Sequence, residues 1–225
     1  MIKKKAKSVA LLCLSVVLVL FLVLTGIHPY DRLTWWLEVF PVLAALPLLA
    51  ATYRRYPLTN LLYGLIFIHA VILIVGGAYT YARVPLGFSL KDVFALDRNP
   101  YDKIGHFAQG FVPALAAREI LIRGGYVRGR RMLVFVVISI ALAISAGYEL
   151  IEWASALALG QGADAFLGTQ GDPWDTQSDM GFALFGAVGA LLALSHLHDR
   201  QLMEIKTPRI SPGFPGWVVN SGDSP

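Results

Sequence analysis

Three separate segments of this 225-residue chain carry carboxylates, and the first of them also carries a histidine. In that segment Asp102, His106 and Gln109 stand at i, i+4 and i+7, so a helix beginning near Pro100 would present all three on one face. Several carboxylates with one imidazole are typical of sites for a hard or borderline divalent cation such as Mg2+, Ca2+ or Mn2+. A structural zinc site would use more cysteine or histidine ligands.

The other two segments also space their carboxylates as a helix would. Glu149 and Glu152 stand at i and i+3 and therefore point the same way from one helix. Asp172 precedes a proline, which predicts a helix N-cap with proline at the first helical position. A helix starting there would place Asp172, Asp175 and Asp179 along one stripe.

Two chemical roles are predicted for these residues. His106 and Glu149 are candidate catalytic groups, because an imidazole and a buried carboxylate can both transfer protons. A cation held by carboxylates could activate a water molecule, and the candidate ligands are Asp102, Glu149, Glu152, Asp172, Asp175 and Asp179. Simpler roles stay open, since Asp172 and Asp175 could only cap a helix and Glu152 could be solvated at the membrane interface.

The elements that must position these residues are membrane-spanning helices. Apolar residues make up 56% of the chain and charged residues 15%, with a mean hydropathy of +0.60, which is too little charge for a soluble surface. The fold class predicted is all-α, a polytopic membrane protein with six transmembrane helices in one domain over residues 1–199. The helices are expected at about 9–27, 35–52, 61–82, 104–122, 132–159 and 177–197, since a span needs roughly 17 to 25 residues. Residues 200–225 are expected to form a poorly ordered tail.

Basic residues predict the orientation of the helices, because Lys and Arg in short loops stay cytoplasmic. The N-terminal lysines, the pair at 54–55, the arginines at 123–131 and the basic residues from 200 onward fall on one side. The loop from Gly160 to Ser178, on the other side, has no Lys or Arg. Both termini are therefore predicted to be cytoplasmic, and the acidic segments to lie at the outer face. This distribution accounts for the net charge of +4 without a nucleic-acid partner.

A few residues outside the acidic segments also carry expectations. Arg118 is expected to extend toward the cytoplasmic surface, and Glu119 to pair with Arg123 one helical turn later. His69, near the middle of the third span, is expected to be a packing residue. The stretch from Ser89 to Leu96 begins like a capping box and predicts a short helix on the outer interface.

The strings DRNPYDKIGHFAQGFVPALAARE, YELIEW and FLGTQGDPWDTQSDM closely resemble the YjdF-like bacterial inner-membrane proteins, a domain family of unknown function. The resemblance covers nearly the whole chain and implies a multi-pass protein of the bacterial inner membrane. A weaker resemblance is to VanZ-like membrane proteins, which implies action at the cell envelope. The matching positions are Asp102, Lys103, His106, Phe107, Glu149 or Glu152, and Asp179 with Gly186. The chain departs from that pattern by its longer loop over 161–175.

Three functions follow from these patterns. The leading hypothesis is an envelope protein that binds a divalent metal or a polar lipid headgroup at its outer face, in one version as an enzyme acting on a lipid-linked substrate. The second is a small ion- or proton-coupled transporter in which His106 and Glu149 form a relay, although no polar chain reaches the cytoplasmic face in the sequence. The third is a structural or partner-binding membrane protein. The lipid bilayer is a partner in all three.

Overall fold

The computed structural model describes residues 2–159 and 170–205, and its regular secondary structure there is entirely α-helical. Residues 160–169 of the last outer loop, and residues 206–225 of the expected tail, lie outside the described part of the chain. The helices are α1 (Ile2–Ile27), α2 (Arg32–Thr52), α3 (Asn60–Tyr79), α4 (Pro85–Phe94), α5 (Tyr101–Gly124), α6 (Arg130–Leu159) and α7 (Asp175–Glu204).

Five of the described helices are long and apolar enough to cross a membrane, namely α1, α2, α3, α6 and α7. The all-α class is therefore confirmed. The predicted fourth span corresponds to α5, whose 24 residues are long enough but include several buried polar and charged side chains. Helices α3, α6 and α7 pack around α5 and cover these side chains. The last helix continues to Glu204, several residues beyond its predicted end.

Two sequence signals that were predicted to start a helix do not start one in the structure. Helix α7 begins at Asp175, with Trp174 at the N-cap position, so the prediction of an N-cap at Asp172 was wrong. Asp172 instead accepts a hydrogen bond from the Trp174 N–H at 2.9 Å in the preceding turn. The short helix α4 begins at Pro85, because a proline is well suited to the first helical position. Ser89 lies inside that helix and donates to the Pro85 carbonyl rather than capping it.

The two larger apolar cores hold most of the helices together. One joins α1, α2 and α3 around Leu18, Trp35, Val39 and Ile74. The other joins α3, α5, α6 and α7, and includes Leu115. Because α3 contributes to both cores, it connects the first two helices to the helices that carry the predicted site.

Helices α5 and α7 approach each other closely because glycines line their contact. A Cβ at Gly110 would overlap the backbone carbonyl of Ala183, and a Cβ at Gly186 would overlap the carbonyl oxygen of Phe107. Small residues of this kind let two membrane helices pack backbone against backbone. This close approach brings the polar side chains at the N-terminal ends of the two helices within reach of each other.

The glycine contact predicts a large difference between two substitutions in α7. Gly186→Val should destabilise the protein by about 1 to 3 kcal/mol, because the new side chain would push α7 away from α5. Thermal unfolding of the detergent-purified protein measures this loss. Gly181→Val is the matched control, since nothing lies within 4 Å of a Cβ there. Equal melting temperatures for the two variants would contradict the packing described.

Candidate functional site

The predicted polar face of α5 is present and buried. Asp102, His106 and Gln109 are 8%, 6% and 9% exposed. The His106 ring lies between the other two: its Nδ1 is 3.1 Å from Gln109 Oε1, and its Nε2 is 3.5 Å from Asp102 Oδ1. The spacing of these residues in the sequence therefore predicted their arrangement correctly.

Two further helices bring carboxylates to His106. Glu149 of α6 places its Oε1 3.7 Å from His106 Nδ1, and Asp179 of α7 places its Oδ2 3.8 Å from His106 Nε2. Glu149 and Asp179 are 7% and 2% exposed. Three helices therefore converge on one imidazole, with carboxylates on both of its nitrogen atoms. We call Asp102, His106, Glu149 and Asp179 the outer cluster, after the membrane face at which the sequence predicts them.

Two basic side chains balance part of the negative charge of these residues. Lys103 Nζ donates to Asp175 Oδ1 at 2.8 Å and to Asp179 Oδ1, and lies 3.8 Å from Asp102 Oδ2. Arg98, in the loop before α5, pairs with Asp172 at 2.9 Å and with Asp175 at 2.7 Å. Asp175 is thus joined to the outer cluster through Lys103, while Asp172 contacts Arg98 at its edge.

The ion pairs of Arg98 also change its acidity. Burial alone would lower the pKa of Arg98, but the hydrogen bond to Asp175 and the charges of Asp175 and Asp172 outweigh burial and raise the pKa. The guanidinium therefore stays positively charged, and it orders the start of α7 against the loop before α5.

Glu38 of α2 was not predicted to belong to the site. Its side chain is 4% exposed, and the Tyr148 hydroxyl lies 3.4 Å from its Oε2. Together with Asp102, His106 and Glu152, it lines a cavity of about 20 Å3, which is about the room that one water molecule needs. A signal was present in the sequence, because Glu38 is a single acidic residue inside an apolar span, and such residues usually face protein or water.

Two carboxylate oxygens of the outer cluster lack the donors that a buried oxygen normally has. Asp102 Oδ2 and Glu149 Oε1 are buried without a hydrogen-bond partner among the described residues. A buried carboxylate oxygen is costly unless a donor, a proton or a cation satisfies it. These two oxygens therefore call for a donor such as water, a proton or a cation, and the neighbouring cavity has room for a group of that size.

A tight subset of the outer cluster has the dimensions of a metal site. One ligand atom each from Asp102, His106 and Asp179 can be chosen so that all lie within 4.8 Å of one another. Of the other predicted ligands, Glu149 contacts the same imidazole, Glu152 lines the cavity, and Asp175 and Asp172 are reached only through Lys103 and Arg98.

A second buried network lies at the opposite ends of α5 and α7. Glu119 is fully buried and accepts hydrogen bonds from the Thr59 N–H at 3.1 Å, the Thr59 hydroxyl at 2.8 Å and Arg123 at 2.8 Å. His198 Nε2 lies 3.0 Å from the same carboxylate. The predicted pairing of Glu119 with Arg123 is confirmed. We call these residues, together with Arg118, the inner cluster.

Arg118 does not extend to the surface, so that prediction was wrong. It is 7% exposed, and it donates to His198 Nδ1 at 3.2 Å and to Asp199 Oδ1 at 2.6 Å. Because a guanidinium can only donate, His198 Nδ1 must accept, and its Nε2 must carry the proton that faces Glu119. The sequence could not pair residues that lie about 80 positions apart.

The fold and these clusters define a class, which is an all-α, multi-pass membrane protein with buried polar networks between its helices. Residues 10–200 match the family described as "Predicted membrane protein (DUF2238)", and the chain belongs to this family. It is 63% identical over 188 residues to "Inner membrane protein YjdF" of Escherichia coli (strain K12), which covers 84% of this chain and 90% of that relative. No solved structure matches the chain. The resemblance to YjdF-like proteins and the location in the bacterial inner membrane are thereby confirmed.

The inner cluster makes a prediction about stability. Glu119→Gln should destabilise the protein by roughly 3 to 5 kcal/mol, because Arg123 would lose its buried counter-charge. The melting temperature of the detergent-purified variant measures the effect. Glu204→Gln removes an equally charged but exposed group from the same end of α7, and should melt like the wild type. An unchanged melting temperature for Glu119→Gln would mean that the network contributes little to stability.

Proposed function

We propose that this chain is an inner-membrane protein that binds a divalent cation at its outer face and uses it on a polar, lipid-linked substrate of the cell envelope. The observation that supports this proposal is the grouping of Asp102, His106 and Asp179, whose ligand atoms lie within 4.8 Å of one another. A cation with bonds of about 2.0 to 2.6 Å would fit between atoms at that spacing. The unsatisfied second oxygen of Asp102 and the unsatisfied Glu149 carboxylate oxygen lie beside it, so Glu149 adds one buried acidic group to the three ligands.

The atoms of the three ligands are oriented for such a cation. His106 Nε2 faces both aspartates, while its Nδ1 faces Gln109 and Glu149. A metal-binding imidazole commonly uses one nitrogen for the metal and donates from the other to an oxygen, which fixes the ring. Asp179 uses one oxygen for Lys103 and turns the other toward His106, so a cation need not displace the lysine.

Oxygen ligands with one imidazole favour Mg2+, Ca2+ or Mn2+. In the enzymatic form of this proposal, the cation would polarise a bound water, and Glu149 would accept its proton, with His106 holding the cation and orienting the carboxylates. Glu152, Asp175 and Asp172 would then tune the charge around the site rather than bind the cation directly.

The proposal includes an orientation in the membrane. Helix α5 would also cross the membrane, as the fourth of six spans in one transmembrane domain over residues 1–199, and α3, α6 and α7 would shelter it from lipid. Both termini would be cytoplasmic, since basic residues flank the helix ends on that side. The outer cluster would then face the periplasmic side, and the inner cluster the cytoplasm.

Ion transport is a second candidate function, and the inner cluster favours it. A buried polar cluster lies at each end of the α5 and α7 pair, the outer cluster at one end and the inner cluster at the other. The buried residues of α5 between Gln109 and Arg118 are apolar, however, and they span about 13 Å at about 1.5 Å per residue. Transport would therefore need a rearrangement of the helices, whereas binding at the outer face needs none.

The cation proposal predicts metal binding that depends on the outer cluster. Purified protein titrated with Mn2+ should bind one ion, and its unfolding free energy should rise by about 2.7 kcal/mol at a free concentration of 100 Kd. Asp179→Asn and His106→Gln should each weaken binding at least tenfold, because each removes one of three ligands. Metal analysis and thermal unfolding measure the two effects.

Asp92→Asn is the matched control for this experiment, because Asp92 is an exposed carboxylate on the outer helix α4. It should bind Mn2+ like the wild type. The wild-type protein alone can refute the proposal: no bound cation and no change in melting temperature with Mn2+, Mg2+ or Ca2+ would leave the outer cluster a polar packing network. That result would favour a structural or partner-binding role.

The orientation can be tested separately. A green fluorescent protein fused after Pro225 should be fluorescent, because it folds in the cytoplasm. An alkaline phosphatase fused after Asp97 should be active, because it would be placed in the periplasm. The same phosphatase fused after Arg128, on the cytoplasmic side, is the control and should be inactive. Activity at Arg128 together with inactivity at Asp97 would reverse the proposed orientation.

A further inference from the structure

We propose that a groove between α4, α5 and α7 binds a zwitterionic phospholipid of the outer leaflet, with its headgroup beside the outer cluster. This inference rests on the proposed function for the orientation of the protein, and it names the class of lipid that the site would receive. The groove has a volume of about 870 Å3, which is within the usual range for small-molecule sites. We call it the lateral groove, and its apolar lining consists of Leu90, Phe94, Leu96, Ile104, Phe107 and Phe182.

The polarity of the lateral groove changes along its length. Its polar residues, among them Arg98, Lys103 and Asp172, belong to the loops before α5 and α7 and to the first turn of α5. Its deepest aromatic residues, Phe107 and Phe182, lie about 9 to 11 Å further along α5 and α7, at about 1.5 Å per residue. A phospholipid in the outer leaflet changes polarity in the same order, because its polar head lies at the interface and its apolar chains lie deeper.

The deep end of the groove is open to the side of the protein. Phe107 and Phe182 are each 39% exposed, although they belong to helices whose opposite faces are buried. In a membrane these rings would face lipid. A molecule could therefore enter from the bilayer without passing through water, and the two rings would contact its chain.

Lys103 connects the lateral groove to the outer cluster. Its side chain lines the groove, while its ammonium binds Asp175 and Asp179. A phosphate group beside Lys103 would consequently lie one side chain away from the proposed cation. This connection distinguishes the groove from other lipid-facing surface, because a headgroup bound here would be placed next to the site of chemistry.

The charges at the polar end of the groove favour a headgroup with both signs. Two cations, Arg98 and Lys103, line this end together with two carboxylates, Asp97 and Asp172. Both cations are also paired with Asp175, and Lys103 with Asp179, so this end carries no excess of positive charge. A phosphodiester would be attracted to the cations and an ammonium group to the carboxylates, which are the two charges of phosphatidylethanolamine. A headgroup with only negative charge would meet the carboxylates without compensation, and it should bind less well.

The test is equilibrium lipid binding to delipidated protein in detergent, with native mass spectrometry as the readout. Phosphatidylethanolamine should bind at least tenfold more tightly than phosphatidylglycerol with the same chains. Glycerophosphoethanolamine, which has no chains, should bind at least tenfold more weakly than the intact lipid. Equal or tighter binding of phosphatidylglycerol would overturn the charge argument, and tight binding of the chain-free head would overturn the role of the groove.

A pair of variants on α4 tests the location. Leu90→Trp fills the groove and should weaken phosphatidylethanolamine binding at least tenfold, whereas Val93→Trp adds the same bulk at an exposed position of the same helix and should not. Equal affinities in the two variants would place the lipid elsewhere. Mn2+ binding is measured in parallel on the wild type and on Leu90→Trp. If Leu90→Trp binds Mn2+ normally but has lost the lipid, both the cation site and the lateral groove are supported. If neither the wild type nor Leu90→Trp binds Mn2+, only the cation proposal fails.

Discussion

Charged side chains on a helix enclosed by apolar helices must be compensated inside the protein, and this constraint shapes most of the structure. A charge at membrane depth costs about 2.5 to 3.5 kcal/mol when it faces lipid. Helix α5 carries such residues at both ends, including Asp102 at one and Glu119 at the other. Helix α7 supplies a partner at each end: Asp179 for Lys103, and His198 for Glu119. The two helices therefore depend on each other for their charge balance.

The glycine contact is what makes this compensation geometrically feasible. Ion pairs need their atoms within about 3 to 4 Å, so two helix axes must lie close enough for short aspartates to reach across. At Gly110 and Gly186 the backbones of α5 and α7 touch, and no side chain holds them apart. Both clusters lie beyond this contact, one toward each end. A change at the contact would therefore disturb the outer and inner clusters together.

The sequence predicted side-chain contacts within one helix but not contacts between helices that are distant in the chain. Helical spacing correctly grouped Asp102 with His106 and paired Glu119 with Arg123, because residues one turn apart share a face wherever the helix packs. It did not predict that Arg118 turns inward, since its partners lie on α7. The N-cap of α7 was predicted too early, at Asp172, because the Asp-Pro signal is also satisfied by the turn that Asp172 stabilises. Glu38 shows the same limit, because an isolated acid gives no indication of which helix it will face.

The apolar middle of α5 bears on which function these clusters can serve. The buried side chains between the clusters include Val112, Ala114 and Leu115, and they leave no polar route through α5. His69 of α3 is a titratable group at intermediate depth, and its buried Nε2 has no hydrogen-bond partner within residues 2–159 and 170–205, so it does not link the clusters. In the proposed orientation, a site without a polar route toward the cytoplasm and with an open lateral groove would suit a ligand that arrives from the outer leaflet. The inner cluster would then hold α5 and α7 in register while the ligand binds at their other ends.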